Sequence, residues 1–176
     1  MDSFCEHLVK RKKKSSEKLF TAALILAGVL FTVFVFLYLL PWTFYFLQPL
    51  TPVIFPLLVA VWWGVLILAK RYNIEFEYAV TGSDLDIDKI INKKKRKRVV
   101  STSVRSFEII APLNSPRYSD AYKNLLLVDC SSRKENAATY FAVYFVDGQQ
   151  KCLIFDPTEK MLDMIKRFCP DKFFTE

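Results

Sequence analysis

LFTAALILAGVLFTVFVFLYLLPWTFYFLQPLTPVIFPLLVAVWWGVLILA, residues 19–69, contains no Asp, Glu, Lys, Arg or His, and is bounded by Lys18 on one side and Lys70 with Arg71 on the other. At ~1.5 Å per helical residue, residues 19–40 reach ~33 Å, enough for a bilayer core of ~30 Å. A cleaved signal peptide has a shorter apolar core and a small-residue cleavage site. This run is long and ends in Pro41-Trp42, so it reads as a retained span. Residues 52–69 form a second, shorter span, with Pro56 tolerable in its first turn; a re-entrant segment is the alternative. Between the two, the prolines and aromatics of residues 41–52 predict a turn sunk into the far interface, with Trp42 and Tyr45 as headgroup-level anchors. Lys70 and Arg71 anchor the other end by snorkelling.

Charge sets the orientation. Of a formal +7, residues 1–18 hold six basic side chains against Asp2, Glu6 and Glu17, and Lys70 with Arg71 close the second span. Basic flanks at both outer ends place the protein in the cell membrane with two spans and with N- and C-termini cytoplasmic. A nucleic-acid-binding domain instead spreads its excess over one basic face, so no nucleic-acid partner is expected. Neither span contains the ionisable groups that mark transport pathways, which argues for an anchor over a conduit. Gly28 and Gly64 form no GxxxG pair. Trp62-Trp63 sits mid-span, where a protein partner in the membrane or plain lipid exposure would account for it.

From residue 73 the apolar period changes to two. Residues 74–80 alternate, Thr81-Gly82-Ser83-Asp84 turns the chain, and residues 85–88 alternate again, the pattern of a β-hairpin. Further strands are predicted over residues 98–103, 104–110, 125–130, 139–146 and 151–155, the last two joined by Asp147-Gly148, a strong hairpin signal. Residues 111–124 read as a long loop or one with a short helix. Asp156-Pro157-Thr158 opens a helix over residues 158–169 with Met161, Leu162, Ile165 and Phe168 on one face. The chain thus divides into a basic N-terminal segment (1–18), a two-helix transmembrane hairpin (19–69, spans 19–40 and 52–69) and a cytoplasmic α+β domain (72–176). That domain is expected as a bent antiparallel sheet or partly open barrel of 6–7 strands capped by the C-terminal helix.

Tyr78-Ala-Val-Thr-Gly-Ser-Asp-Leu-Asp-Ile, the basic stretch after it and the closing helix at Glu159 carry a resemblance. The arrangement resembles bacterial pleckstrin-homology-like (PH-like) domains beside transmembrane helices. More closely, the whole chain is similar to a family of bacterial proteins with two transmembrane helices and a motif like Leu85-Asp-Ile-Asp-Lys-Ile-Ile followed by basic residues. The resemblance implies the architecture and no catalytic motif.

The most conspicuous polar feature is Lys93, Lys94, Lys95, Arg96, Lys97 and Arg98. Near an anionic leaflet such a run gains ~1 kcal/mol per basic residue, so it is a candidate lipid contact; the bland alternative is a solvated hairpin tip balanced by neighbouring acids. Asp84, Asp86 and Asp88 share one strand face ~7 Å apart, too far for one ion from a straight strand, and are expected to pair with the basic run. Arg117, Tyr118 and Tyr122 lie in the proline-flanked loop and are the candidate partner-binding surface. Tyr140 and Tyr144 share a strand face and are expected to pack.

For catalysis the only histidine, His7, falls outside the expected fold, and no nucleophile elbow, Walker loop, HExxH or dinucleotide fingerprint occurs. Cys5-x-His7 lacks the further ligands zinc needs. Cys130, Cys152, Cys5 and Cys169 have no CxxC spacing, and a cytoplasmic domain keeps them reduced. No catalytic, metal or cofactor residue is therefore assigned. The expectation is a non-enzymatic, membrane-anchored module that binds a protein segment or anionic lipid at the cytoplasmic leaflet. Its alternatives are an accessory subunit of a transport or secretion complex and an unrecognised enzyme.

Overall fold

The structure is a computed structural model that describes residues 4–135, 137–146 and 148–175. The chain divides into two compact units, one of residues 1–12 with 74–176 and the other of residues 13–73.

The helical unit begins with α1 (Ser15–Phe34), continues through a π-helical turn (Val35–Leu39) into α2 (Leu40–Phe46), and passes by a 3₁₀ turn (Gln48–Leu50) to α3 (Thr51–Lys70). By length and composition it holds two helices able to cross a membrane, Ser15–Phe46 and Thr51–Lys70. The turn expected over residues 41–52 is therefore helical as far as Phe46. Pro41 lacks an amide hydrogen, and its ring crowds the carbonyl four residues back; the wider π turn just before it relieves both conflicts. Between α1 and α3, Gly28 admits Val65 and Trp62, and Trp62 Nε1 donates to Thr32 Oγ1 at 3.1 Å. Val35, Ile54 and Leu58 form a small buried cluster, while Leu30, Val59 and Trp63 face outward.

The other unit contains two four-stranded sheets. The first has the order β1 (Phe4–Lys10), β2 (Ile74–Thr81), β3 (Asp84–Ile91), β4 (Lys95–Ser103), antiparallel throughout. The second contains β5 (Phe107–Pro112), β7 (Tyr140–Val146), β8 (Gln149–Phe155) and β6 (Leu126–Asp129), in the order β5-β7-β8-β6. Two expectations are corrected here. Among the described residues the strands number eight, not 6–7, and β6 runs parallel to β8 within a sheet expected to be antiparallel. The bent sheet or partly open barrel takes the form of two four-stranded sheets, with no closed barrel among the described residues.

The additional strand is β1, from the segment assigned above to a separate N-terminal region. Cys5 and Val9 point into the core, and His7 stands opposite Tyr78, so the histidine belongs to the fold. Asp147 lies outside the described residues, but β7 and β8 are antiparallel neighbours, as the hairpin signal implied. A short helix, α4 (Asp120–Lys123), interrupts the loop before β6.

Helix α5 (Glu159–Phe168) starts where Thr158 Oγ1 accepts the Met161 amide, and it turns Met161, Met164 and Ile165 inward. These residues join Phe76, Tyr78, Leu85, Ile87, Phe107, Leu153 and Phe155 in a core shared by both sheets. Burying each large apolar side chain contributes about 1.5–3 kcal/mol. The sheets are also fastened by polar groups. The Tyr78 hydroxyl, on a fully buried side chain, donates to the Cys130 carbonyl at 2.7 Å and accepts the Asp156 amide at 3.4 Å. Asp156 in turn accepts from the Ser132 amide (2.6 Å) and the Thr139 hydroxyl (2.7 Å). Tyr140 and Tyr144 pack on this core, as expected.

Candidate functional site: a basic hairpin and a cationic cleft

The basic run is divided by a tight turn. Asn92 (φ 51°) and Lys93 (φ 56°) are both left-handed, and the Lys94 amide donates to the Ile91 carbonyl at 3.1 Å. Left-handed backbone suits the right-handed twist of a hairpin, although it is unfavourable for lysine. Only Lys93 and Lys94 occupy the turn, since β4 starts at Lys95, three residues earlier than expected. Strand alternation then sends successive side chains to opposite faces.

Arg96 and Arg98 fall on the face of Glu77, Asp86 and Asp88. Arg98 reaches Asp88 at 3.1 Å and Asp86 at 3.2 Å, and Arg96 reaches Asp88 at 3.7 Å and pairs with Glu77. Asp86 and Asp88 thus pair with the basic run, as their spacing predicted, whereas the exposed Asp84 has no ion pair among the described residues. Asp88 and Glu77 retain only 11% and 14% of their side-chain exposure, whereas the arginines are more than half exposed. The acids are therefore the fixed base of this ladder. A hydrogen bond with Glu6 and then burial raise the Glu77 carboxyl above its ordinary range, against the opposing Arg96 charge.

Lys97 and Val99 fall on the other face and open onto a cleft of about 390 Å³ lined by Arg11, Phe76, Lys89, Lys97, Arg98, Val99, Val128 and Asp129. Outer strands β4 and β6 of the two sheets flank it. Lys89 is the direct cross-strand partner of Lys97 and of Phe76. Among the described residues, neither Lys89 nor Lys97 has a carboxylate within ion-pair distance. Asp129 at the rim is engaged elsewhere: it accepts from Ser131 Oγ (2.7 Å) and from Arg133 (2.7 and 3.0 Å). Despite opposing burial, those bonds hold its carboxyl below the usual range.

The remaining candidates lie elsewhere. Tyr118 and Tyr122 pack at a tilt against Phe141 with ring centroids 4.9 and 5.8 Å apart, and Arg117 lies 3.7 Å over the Phe174 ring. This loop covers the outer face of the second sheet, where Phe141, Val143, Cys152 and Ile154 are buried. Burial raises the Tyr118 hydroxyl. Trp42 and Tyr45 are exposed on α2, Lys70 ends α3 and Arg71 lies in the turn after it, all four in the helical unit. The thiols are buried; desolvation pushes Cys130 up to about 12 and Cys152 to about 11.

Sequence reading did not single out Lys89, Arg11 or Phe76 as a group. The available signal was parity: Lys89 shares the inward register of Leu85 and Ile87, where a lysine is out of place.

Two sheets closed by a C-terminal helix invite a family comparison. The family described as bacterial PH-like domain (DUF6106) matches residues 1–175. The chain belongs to this family. The match includes the helical unit and β1 as well as the strands of the PH-like domain. No curated protein and no solved structure provides a match.

Proposed function

We propose that the protein is a non-enzymatic, membrane-anchored interaction module, in which two membrane spans hold the PH-like domain at the cytoplasmic leaflet to bind a protein segment or an anionic lipid. The observation that carries this reading is the pairing of β1 with β2. Along the chain the helical unit falls between these two strands, which are neighbours in one sheet, and the Arg11 amide donates to the Ile74 carbonyl at 3.1 Å. A segment inserted between paired strands leaves and returns on one side of a membrane, so its crossings are even in number. If Ser15–Phe46 crosses, Thr51–Lys70 crosses back, which disfavours a re-entrant second segment. The basic flanks favour the cytoplasm for the domain.

Lys93, Lys94, Lys95 and the outward arginines Arg96 and Arg98 supply positive charge for an anionic leaflet. Arg117, Tyr118 and Tyr122 offer a loop surface for a protein segment. The test is purification of the full chain in mild detergent followed by native mass spectrometry. A retained protein partner or anionic lipid is expected; a chain that retains neither overturns the reading.

A second reading, an accessory subunit of a membrane complex, is favoured by one feature of the helical unit. Trp63 is 68% exposed beside an apolar groove of about 410 Å³ lined by Thr32, Leu58, Val59, Trp62, Trp63 and Leu66. It predicts co-purification with a membrane complex that survives removal of residues 74–176, whereas the module reading predicts its loss.

A further inference from the structure

We propose that the cleft between β4 and β6 is a binding site for a small molecule bearing a phosphate group, held by Lys89, Lys97 and Arg11 over a floor of Phe76, Val99 and Val128. The proposal rests on the reading of the domain as a binding module and names the site and its ligand chemistry. The outward cations beside this cleft are braced: Arg96 by Glu77 and Asp88, and Arg98 by Asp86 and Asp88. Lys89 and Lys97 are the exception. They are direct cross-strand partners, an arrangement in which like charges repel, and both line the same cleft. The one lining carboxylate, Asp129, is taken up by Ser131 and Arg133.

An anion between the two ammonium groups converts that repulsion into paired attraction. Phosphate suits the site because a monoester carries close to two negative charges and three acceptor oxygens near neutral pH, matching two lysines and an arginine. A cleft of about 390 Å³ is too large for a bare ion and lies within the size range of small-molecule sites, ~300–1,000 Å³. Its apolar floor accepts the rest of the molecule. The phosphate can belong to a lipid headgroup or to a soluble phosphomonoester, and the two are separated by experiment.

The full chain is reconstituted in phosphatidylcholine nanodiscs and titrated calorimetrically with glycerol 3-phosphate. In a parallel arm, phosphatidic acid is mixed into the nanodiscs and its retention is counted by native mass spectrometry. Saturable binding at one site is expected in one arm, which identifies the source. Lys89→Gln and Lys97→Gln should each weaken it about tenfold or more, while Lys89→Arg, which keeps the charge, should stay within about threefold of wild type. Lys93→Gln and Lys94→Gln, in the turn outside the cleft, should leave it unchanged. If lipid retention falls with Lys93→Gln and Lys94→Gln but ignores Lys89→Gln, the cleft is refuted while the module reading stands. If neither probe binds the wild type and no partner is retained, both are refuted.

Discussion

Replacing Tyr78 by Phe removes one oxygen atom from the seam between the two sheets and leaves the packing almost intact. The ring is fully buried and lies edge-on to Phe155, with centroids 6.0 Å apart. Burial raises its hydroxyl well above the ordinary tyrosine range, so it remains protonated and donates. Without it, the Cys130 carbonyl loses its donor and the Asp156 amide loses an acceptor, in a region closed to water. A buried polar group left unmatched costs about 1–3 kcal/mol, offset in part by the easier burial of Phe; the net expectation is about 1–2 kcal/mol. With a urea slope of about 1–3 kcal/mol per molar, the unfolding midpoint should fall by roughly 0.3–2 M. The assay follows alkylation of buried thiols against urea in the full chain. All four cysteines belong to the PH-like unit, so the signal reports that unit and not the helices. An unchanged or higher midpoint for Tyr78→Phe would refute the proposed joining of the sheets through this hydroxyl.

Three further outcomes follow from the same contacts. Because Glu77 has its carboxyl raised by Glu6 and burial, the stability tied to its protonated form is complete below the unfolded value of 4.5 and is lost as pH rises through the folded value. Glu77→Gln should therefore gain on the wild type in urea midpoint between pH 4 and pH 7; a difference independent of pH would contradict this. With Cys130 pushed up to about 12 and Cys152 to about 11, iodoacetamide at about pH 8 should modify neither thiol until urea unfolds the domain, as peptide mapping would show. A Cβ at Gly28 would meet Val65 Cγ2 at 3.5 Å, an ordinary contact, so Gly28→Ala should leave tryptophan emission unchanged. Gly28→Leu should shift it by forcing Trp62 away from Thr32, and identical spectra for the two variants would count against the packing of α1 on α3.

Much of the architecture is local enough to read from the chain. Residues 19–69 declare their helices by lacking charge, β2 and β3 by alternation, and α5 by its threonine cap and apolar face. What escaped notice was non-local or depended on relief of a local conflict. Phe-Cys-Glu-His-Leu-Val-Lys shows no clean alternation, because β1 turns Cys5 and Val9 inward yet leaves Phe4 and Leu8 exposed; its partner β2 lies beyond the entire helical unit. The parallel pairing of β6 with β8 has no turn signature. Pro41 reads as a stop, and only the preceding π turn shows how the helix passes it. At the candidate site, six consecutive basic residues drew attention, although strand parity separates acid-braced Arg96 and Arg98 from Lys97. Lys97 meets Lys89, a residue outside the run.

In the proposed arrangement the helical unit is an even-crossing insertion, in sequence, between two paired strands of a PH-like domain. Single reporter cysteines at Lys13, Leu47 and Asn73 test it most directly, labelled with a membrane-impermeant maleimide in intact and in permeabilised cells, with the buried native thiols as a silent background. Leu47→Cys should label in intact cells, and Lys13→Cys and Asn73→Cys only after permeabilisation. Labelling that puts residues 13 and 73 on opposite sides, or all three on one side, would contradict it.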